Sequence, residues 1–251
     1  MERNLTQGKP LKLILTFALP ILISNVFQQF YNIADTAIVG HTLGDHALSA
    51  VGSVSSVYGL IISICTGLTS GFSILVSKYF GAKDDKNKKH SVAGTIMLSI
   101  FAALIMIMIC VGALKPLLHM LHTPTEIFAD AYKYISIIVF CCIVTVLYNM
   151  QANILIALGN SIAPLMFLIV SSLSNIGLDL LFIKTFDMGI TGAAWATVLA
   201  QGISAVCCFL YILKCCPMLR LSKEDFKLPR ALVKELLASG TAMSMMWAVV
   251  N

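Results

Sequence analysis

The chain has 251 residues, of which 58% are apolar and only 12% charged, with mean hydropathy +0.89. Soluble domains carry about 25% charged residues, so this composition excludes an ordinary soluble fold and points to a polytopic membrane protein. The net charge of +5 sits in the segments between apolar runs, where it directs topology and does not suggest a nucleic-acid partner.

The first apolar run spans residues 13–40, long enough to cross a bilayer with some tilt. It is too long for a cleavable leader, so it is expected to stay in the protein. Pro20 falls in its first half, where a missing backbone N–H kinks a helix or gives it a hinge. Asn25, Gln28, Asn32 and Asp35 follow at steps of 3, 4 and 3, within about 80° of helical arc. A carboxylate near mid-membrane costs about 2.5–3.5 kcal/mol on insertion scales. The stripe must therefore face other helices or water.

Residues 41–46 (HTLGDH) predict a tight turn, with Asp45 as cap of the next helix. The second span, 47–77, is dense in Ser and Gly, which predicts close helix packing. A charged loop, 78–90, precedes a third span at 91–113. Pro116 and Pro124 break the stretch 115–126. His119 and His122 stand there at i, i+3 without a third ligand, which is a poor metal pattern. The fourth span is 127–158 and the fifth 165–186. The fifth holds a second intramembrane carboxylate, Asp179, with Asn175 one turn earlier on the same face. The sixth, 192–213, opens with small residues and contains Thr197. Residues 214–230 form a basic linker expected at the membrane surface. Residues 231–251 open a seventh apolar helix that the sequence does not complete. The eight cysteines form no CxxC and are expected to be small apolar fillers.

With the N-terminus inside, 14 of the 17 Lys and Arg fall on the cytoplasmic side. That asymmetry predicts six complete spans and a cytoplasmic N-terminus in the cell membrane. Asp35 and Asp179, with the amides of Gln28, Asn32 and Asn175 and the Thr197 hydroxyl, supply the oxygen donors that hard cations require. Burial and a second carboxylate both disfavour charge, so the same group can take up a proton instead. Such a pair is the hardware of a coupled transporter. No cofactor is expected.

Pro20 and Asp35, the run VSKYFGAKDD at 76–85, SNIGLDLLFI at 174–183 and GITGAAWAT at 189–197 together resemble the multidrug and toxic compound extrusion (MATE) family, over the whole chain. The resemblance implies an all-α membrane protein, half of a twelve-helix, two-lobe transporter. Residues 1–213 would be the N-terminal six-helix lobe, 214–230 the inter-lobe linker, and 231–251 the start of the C-terminal lobe. It implies export of cationic or amphipathic drugs in exchange for sodium or protons. Asp35, Asn175, Asp179 and Thr197 would hold the coupling ion, Gln28 and Asn32 would line the cavity, and Pro20 would be the hinge. The partners implied are the bilayer and the missing lobe, or a second copy of this one.

Three places depart from the family pattern. Leu180 stands where a proline often follows the fifth-helix aspartate. Ile156 and Ile162 replace basic residues in the turn IALGNSIAP. One lobe's length is absent. Rival readings are a lipid-linked sugar flippase of the same superfamily, a non-transporting half-protein, and an intramembrane enzyme. The flippase is disfavoured because no Lys or Arg lies in the middle of a span. The enzyme is disfavoured because Asp84 and Asp85 sit in a lysine-rich loop and no His lies within a span.

Overall fold

The computed structural model describes residues 10–250, so Arg3 and Lys9 of the basic N-terminal segment and the last residue, Asn251, lie outside it. The described residues form helices joined by short turns, with no strand among them. The elements are α1 (Pro10–Gly81), α2 (Asp85–Met120), α3 (Thr125–Phe140), α4 (Cys142–Ala157), α5 (Ile162–Asp179), α6 (Gly189–Cys215) and α7 (Arg230–Val250). Four of these helices, α1, α2, α5 with its continuation to Thr185, and α6, are long and apolar enough to cross a membrane. A fifth crossing arises if α3 and α4, bent by 46°, form one span.

The 72-residue α1 is two helices, not one. Only Gly44 (φ 81°, ψ −175°) leaves helical geometry within it. The chain folds back there, because Tyr58 lies beside Asp35, which a straight helix would hold about 35 Å away. We call residues 10–43 arm 1 and 45–81 arm 2. The predicted six-residue turn thus shrinks to one glycine, since only Gly tolerates that φ/ψ region. Gly44→Ala is expected to cost about 1–3 kcal/mol of strain and to lower the thermal unfolding midpoint in detergent. Pro20 produces no break; Ser24 Oγ donates to its carbonyl at 2.9 Å.

Other boundaries also move. The expected loops 78–90 and 115–126 are mostly helix: α2 starts at Asp85 and runs through Pro116 to Met120. Asp84 caps it by accepting from the Asn87 N–H at 3.0 Å. That bond, with the Asn87 side chain, holds the Asp84 carboxyl below its ordinary range. His119 stacks on Phe128 at 4.7 Å rather than facing His122 as a ligand pair. The fourth span, expected as one helix over 127–158, breaks at Cys141 into α3 and α4. The basic linker is not irregular throughout. It forms two 3-10 turns, Pro217–Leu219 and Lys223–Phe226, the second closed by a Ser222/Asp225 capping box.

The core has one large cluster where the two arms, α2, α3 and α6 meet around Val39, Val54, Leu118 and Ile135. A second lies between arm 2, α2, α4 and the linker, with Val76, Val92, Leu155 and Leu219. Arm 2 lies directly on α7. A Cβ added at Gly71 would stand 2.4 Å from the Ser239 carbonyl oxygen, and one at Gly67 2.5 Å from the Ser244 Cα. Glycine is what lets these backbones touch. Helix α7 is not among the helices apolar enough to qualify as a span; Lys234 and Glu235 lie in its first turns. Glu235 pairs with Lys78 at 3.4 Å, an exposed contact worth little by itself.

Candidate functional site

Four of the residues singled out by their oxygens come together. Asp35 is brought in by arm 1, Asn175 and Asp179 by α5, and Thr197 by α6. Asn175 and Asp179 are both 0% exposed, and Thr197 is buried beside them. Asn175 Nδ2 donates to Thr197 Oγ1 at 3.5 Å. Asp35 is half-buried and faces both Asp179 and Asn175 across the site. Both carboxylate oxygens of Asp179, one of Asp35 and the amide oxygen of Asn175 have no hydrogen-bond partner among the described residues.

That donor set is what a hard monovalent cation or a proton requires. Two carboxylates at about 4 Å repel by about 4 kcal/mol at an effective dielectric constant of 20, and a bound cation or proton removes that repulsion. No group of three or more His, Cys, Asp or Glu residues that could hold a metal ion occurs among the described residues.

The backbone adapts at the site. Asp179 ends the α-helical part of α5, and residues Leu180–Thr185 continue as a π-helix. A π-turn inserts an extra residue per turn and is frequent at functional sites. The π-turn begins at Leu180, the position noted above for its lack of a proline.

Three tyrosines surround the carboxylates. Tyr31 of arm 1 reaches Thr197 and lies near both aspartates. Tyr58 of arm 2 lies between Asp35 and Gln201. Tyr134 of α3 is buried within range of Asp35 and Asp179. Tyr31 was legible as the residue one turn before Asp35 on the same face. Tyr58 and Tyr134 carry no such signal, because only the tertiary fold brings arm 2 and α3 to this point.

Gln28 and Asn32 do not join the cluster. Both are exposed on arm 1, and Gln28 Nε2 donates to Asn32 Oδ1 at 3.4 Å. Asn25 is exposed on the same helix. The stripe therefore divides: Asp35 turns into the lobe while the three amides stay on a face that the lobe leaves uncovered. Pro20 lies four turns from Asp35 along arm 1 and does not touch the site.

Residues 20–181 match the MatE family profile. Over 216 residues the chain is 31% identical to the probable multidrug resistance protein YpnP of Bacillus subtilis (strain 168), aligning 84% of this chain with 47% of that protein. The probable multidrug resistance protein YoeA of the same strain is 31% identical over 201 residues, 78% of this chain and 42% of that protein. A solved multidrug resistance MATE family transporter of the MOP superfamily, in its outward-facing conformation, superposes with a TM-score of 0.88 at 26% identity. That match covers 96% of this chain and 53% of that one. The chain thus spans about half the length of the curated relatives it matches.

Proposed function

This chain belongs to the MatE family, and from that premise we propose that it forms the N-terminal lobe of a secondary active exporter of cationic or amphipathic drugs. Residues 1–213 are the lobe, 214–230 the linker and 231–251 the opening of the partner lobe. The N-terminus and the basic loops face the cytoplasm, and the protein resides in the cell membrane. The single observation that carries the reading is the cluster of Asp35, Asn175, Asp179 and Thr197, with its unpartnered carboxylate oxygens inside an apolar lobe.

The mechanism is alternating access. Sodium or a proton binds between Asp35 and Asp179 and removes their mutual repulsion. Asn175 and Thr197 supply the neutral donors. Pro20 leaves the Thr16 carbonyl without its usual intrahelical partner, so arm 1 bends there at low cost. Bending reshapes the face that carries Gln28 and Asn32 and releases the drug outward. Drug and cation need only favour different states for exchange to follow. The flippase reading is less well supported: Asp35 has carboxylate, amide and tyrosine side chains as neighbours, not cations that would hold a phosphate.

The test uses the full-length gene product in proteoliposomes loaded with ethidium. An imposed sodium or proton gradient should drive dye movement, and vesicles with neither gradient should show none. Dye movement that ignores both gradients would refute coupling. Thr197→Ala is expected to raise the cation concentration for half-maximal efflux several-fold while the maximal rate is kept, because one neutral donor is lost and both carboxylates remain. A dose–response titration with cation checks this.

A further inference from the structure

The polar interior does not end at the aspartates. Tyr58 reaches Gln201, and Gln201 Oε1 accepts from Thr145 Oγ1. Next comes a thin apolar layer, Cys65 of arm 2, Ala103 of α2 and Val146 of α4, all buried. Tyr58 and Cys65 share Cys142 as a neighbour, so the layer adjoins the Tyr58 end.

Beyond that layer the interior is polar again. One turn along arm 2, Thr69 Oγ1 accepts from Asn153 Nδ2 of α4 at 3.1 Å. One turn along α2 stands Ser99. Thr95 and Ser91 continue its line at successive steps of four, and all three are 0% exposed. Hydroxyls in membrane helices ordinarily donate to a carbonyl three or four residues back. Thr95 does so, to the Ser91 carbonyl at 2.8 Å. Ser99 Oγ and Ser91 Oγ do not, and neither has a partner among the described residues. An unsatisfied buried hydroxyl costs about 1–3 kcal/mol, a cost that a bound water removes. Ser91 lies in the first two turns of α2, next in sequence to His90, whose Nδ1 lies 2.9 Å from the Asp225 carbonyl in the linker, at the end of the lobe that carries the basic loops.

We propose that this seam is a hydrated branch for the coupling cation. It joins the aspartate pair to the basic-loop end without crossing the drug-facing side of arm 1. The Cys65, Ala103 and Val146 layer is its closed constriction, about one helical turn thick. A hard cation needs oxygen donors and water along its route, and the Ser99, Thr95 and Ser91 hydroxyls supply donors at intervals of about 6 Å. The proposal rests on the aspartate pair as coupling site, but its test requires no transport.

The experiment places single cysteines in the full-length protein after the native cysteines are replaced by alanine. Ser99→Cys, Thr69→Cys and Met108→Cys are labelled in membrane vesicles of both orientations. The probe is the small cation 2-aminoethyl methanethiosulfonate, with a thiol scavenger on the far side. Met108 is 76% exposed on the outer surface of α2 and is the lipid-facing control. The expected result is labelling of Ser99→Cys and Thr69→Cys about tenfold faster from the basic-loop side than from the other, with Met108→Cys inert. Thr69→Cys keeps the test valid if Ser99→Cys fails to fold. Inert cysteines at both positions, or equal rates from both sides, would overturn the branch. If labelling is as expected but Asp35→Asn still couples, the coupling reading fails. If labelling is absent and Asp35→Asn is uncoupled, only the branch fails.

Discussion

Asp35→Asn is expected to abolish gradient-driven efflux, to the level of protein-free vesicles, while membrane insertion and yield stay at the wild-type value. Asparagine keeps the shape and one carbonyl oxygen but has no proton to exchange and no charge for sodium to neutralise. The repulsion with Asp179 is then absent in every state, so cation uptake no longer favours one conformation over another. Insertion should not suffer, since the substitution removes an intramembrane carboxylate, the most costly group on arm 1. Dye efflux under an imposed gradient, set beside quantitative blotting of the membrane fraction, reads both effects. Wild-type efflux from this variant would sink the assignment. Asp179→Asn should behave alike, because Asp179 is 0% exposed and faces Asp35 from α5. The double variant should be no worse than either single one, since the two carboxylates act as one unit.

The second large effect is structural. Gly71→Leu is expected to detach α7 from arm 2. A Cβ at Gly71 already lies 2.4 Å from the Ser239 carbonyl oxygen, and one at Gly240 lies 2.2 Å from Phe72 Cε1. The Phe72 ring can turn aside, but the Ser239 backbone cannot. Gly71→Ala should cost about 1–3 kcal/mol, the range for overpacking, and Gly71→Leu more. Gly52 and Gly59 lie on the same arm with nothing within 4 Å of an added Cβ. Alanine there should be neutral or stabilise by up to about 1 kcal/mol through helix propensity. Thermal unfolding followed by fluorescence-detected size exclusion separates the two groups. Equal midpoints for Gly71→Ala and Gly59→Ala would refute the close crossing.

The boundary between what was legible in the chain and what was not runs through individual residues. Asp35 and Asp179 stood out because a carboxylate in an apolar run is costly, and that cost needs no fold to recognise. Thr197 and Asn175 followed from spacing and resemblance, and the fold brings them within reach of Asp179. The Ser and Gly density of residues 47–77 foretold tight packing, but which glycines touch backbone depends on α7. Boundaries were the weakest part. Loops expected at 78–90 and 115–126 are mostly helix, because tertiary contacts hold charged and proline-bearing turns in helical form. For example, His90 Nδ1 of α2 lies 2.9 Å from the Asp225 carbonyl of the linker.

The sequence by itself determined the solvent and marked the costly groups: apolar runs of span length set the membrane, the Lys and Arg asymmetry set the expected orientation, and two acids within those runs marked the proposed cation or proton site. Hydropathy and ionisation are properties of residues and survive in any fold. Tertiary structure alone decided where arm 1 folds back, that Tyr58 and Tyr134 close the site, that the helix turns to π geometry after Asp179, and that Ser91 and Ser99 lack partners. Those are relations between residues far apart in the chain, set by which helix packs on which, and no local periodicity records them.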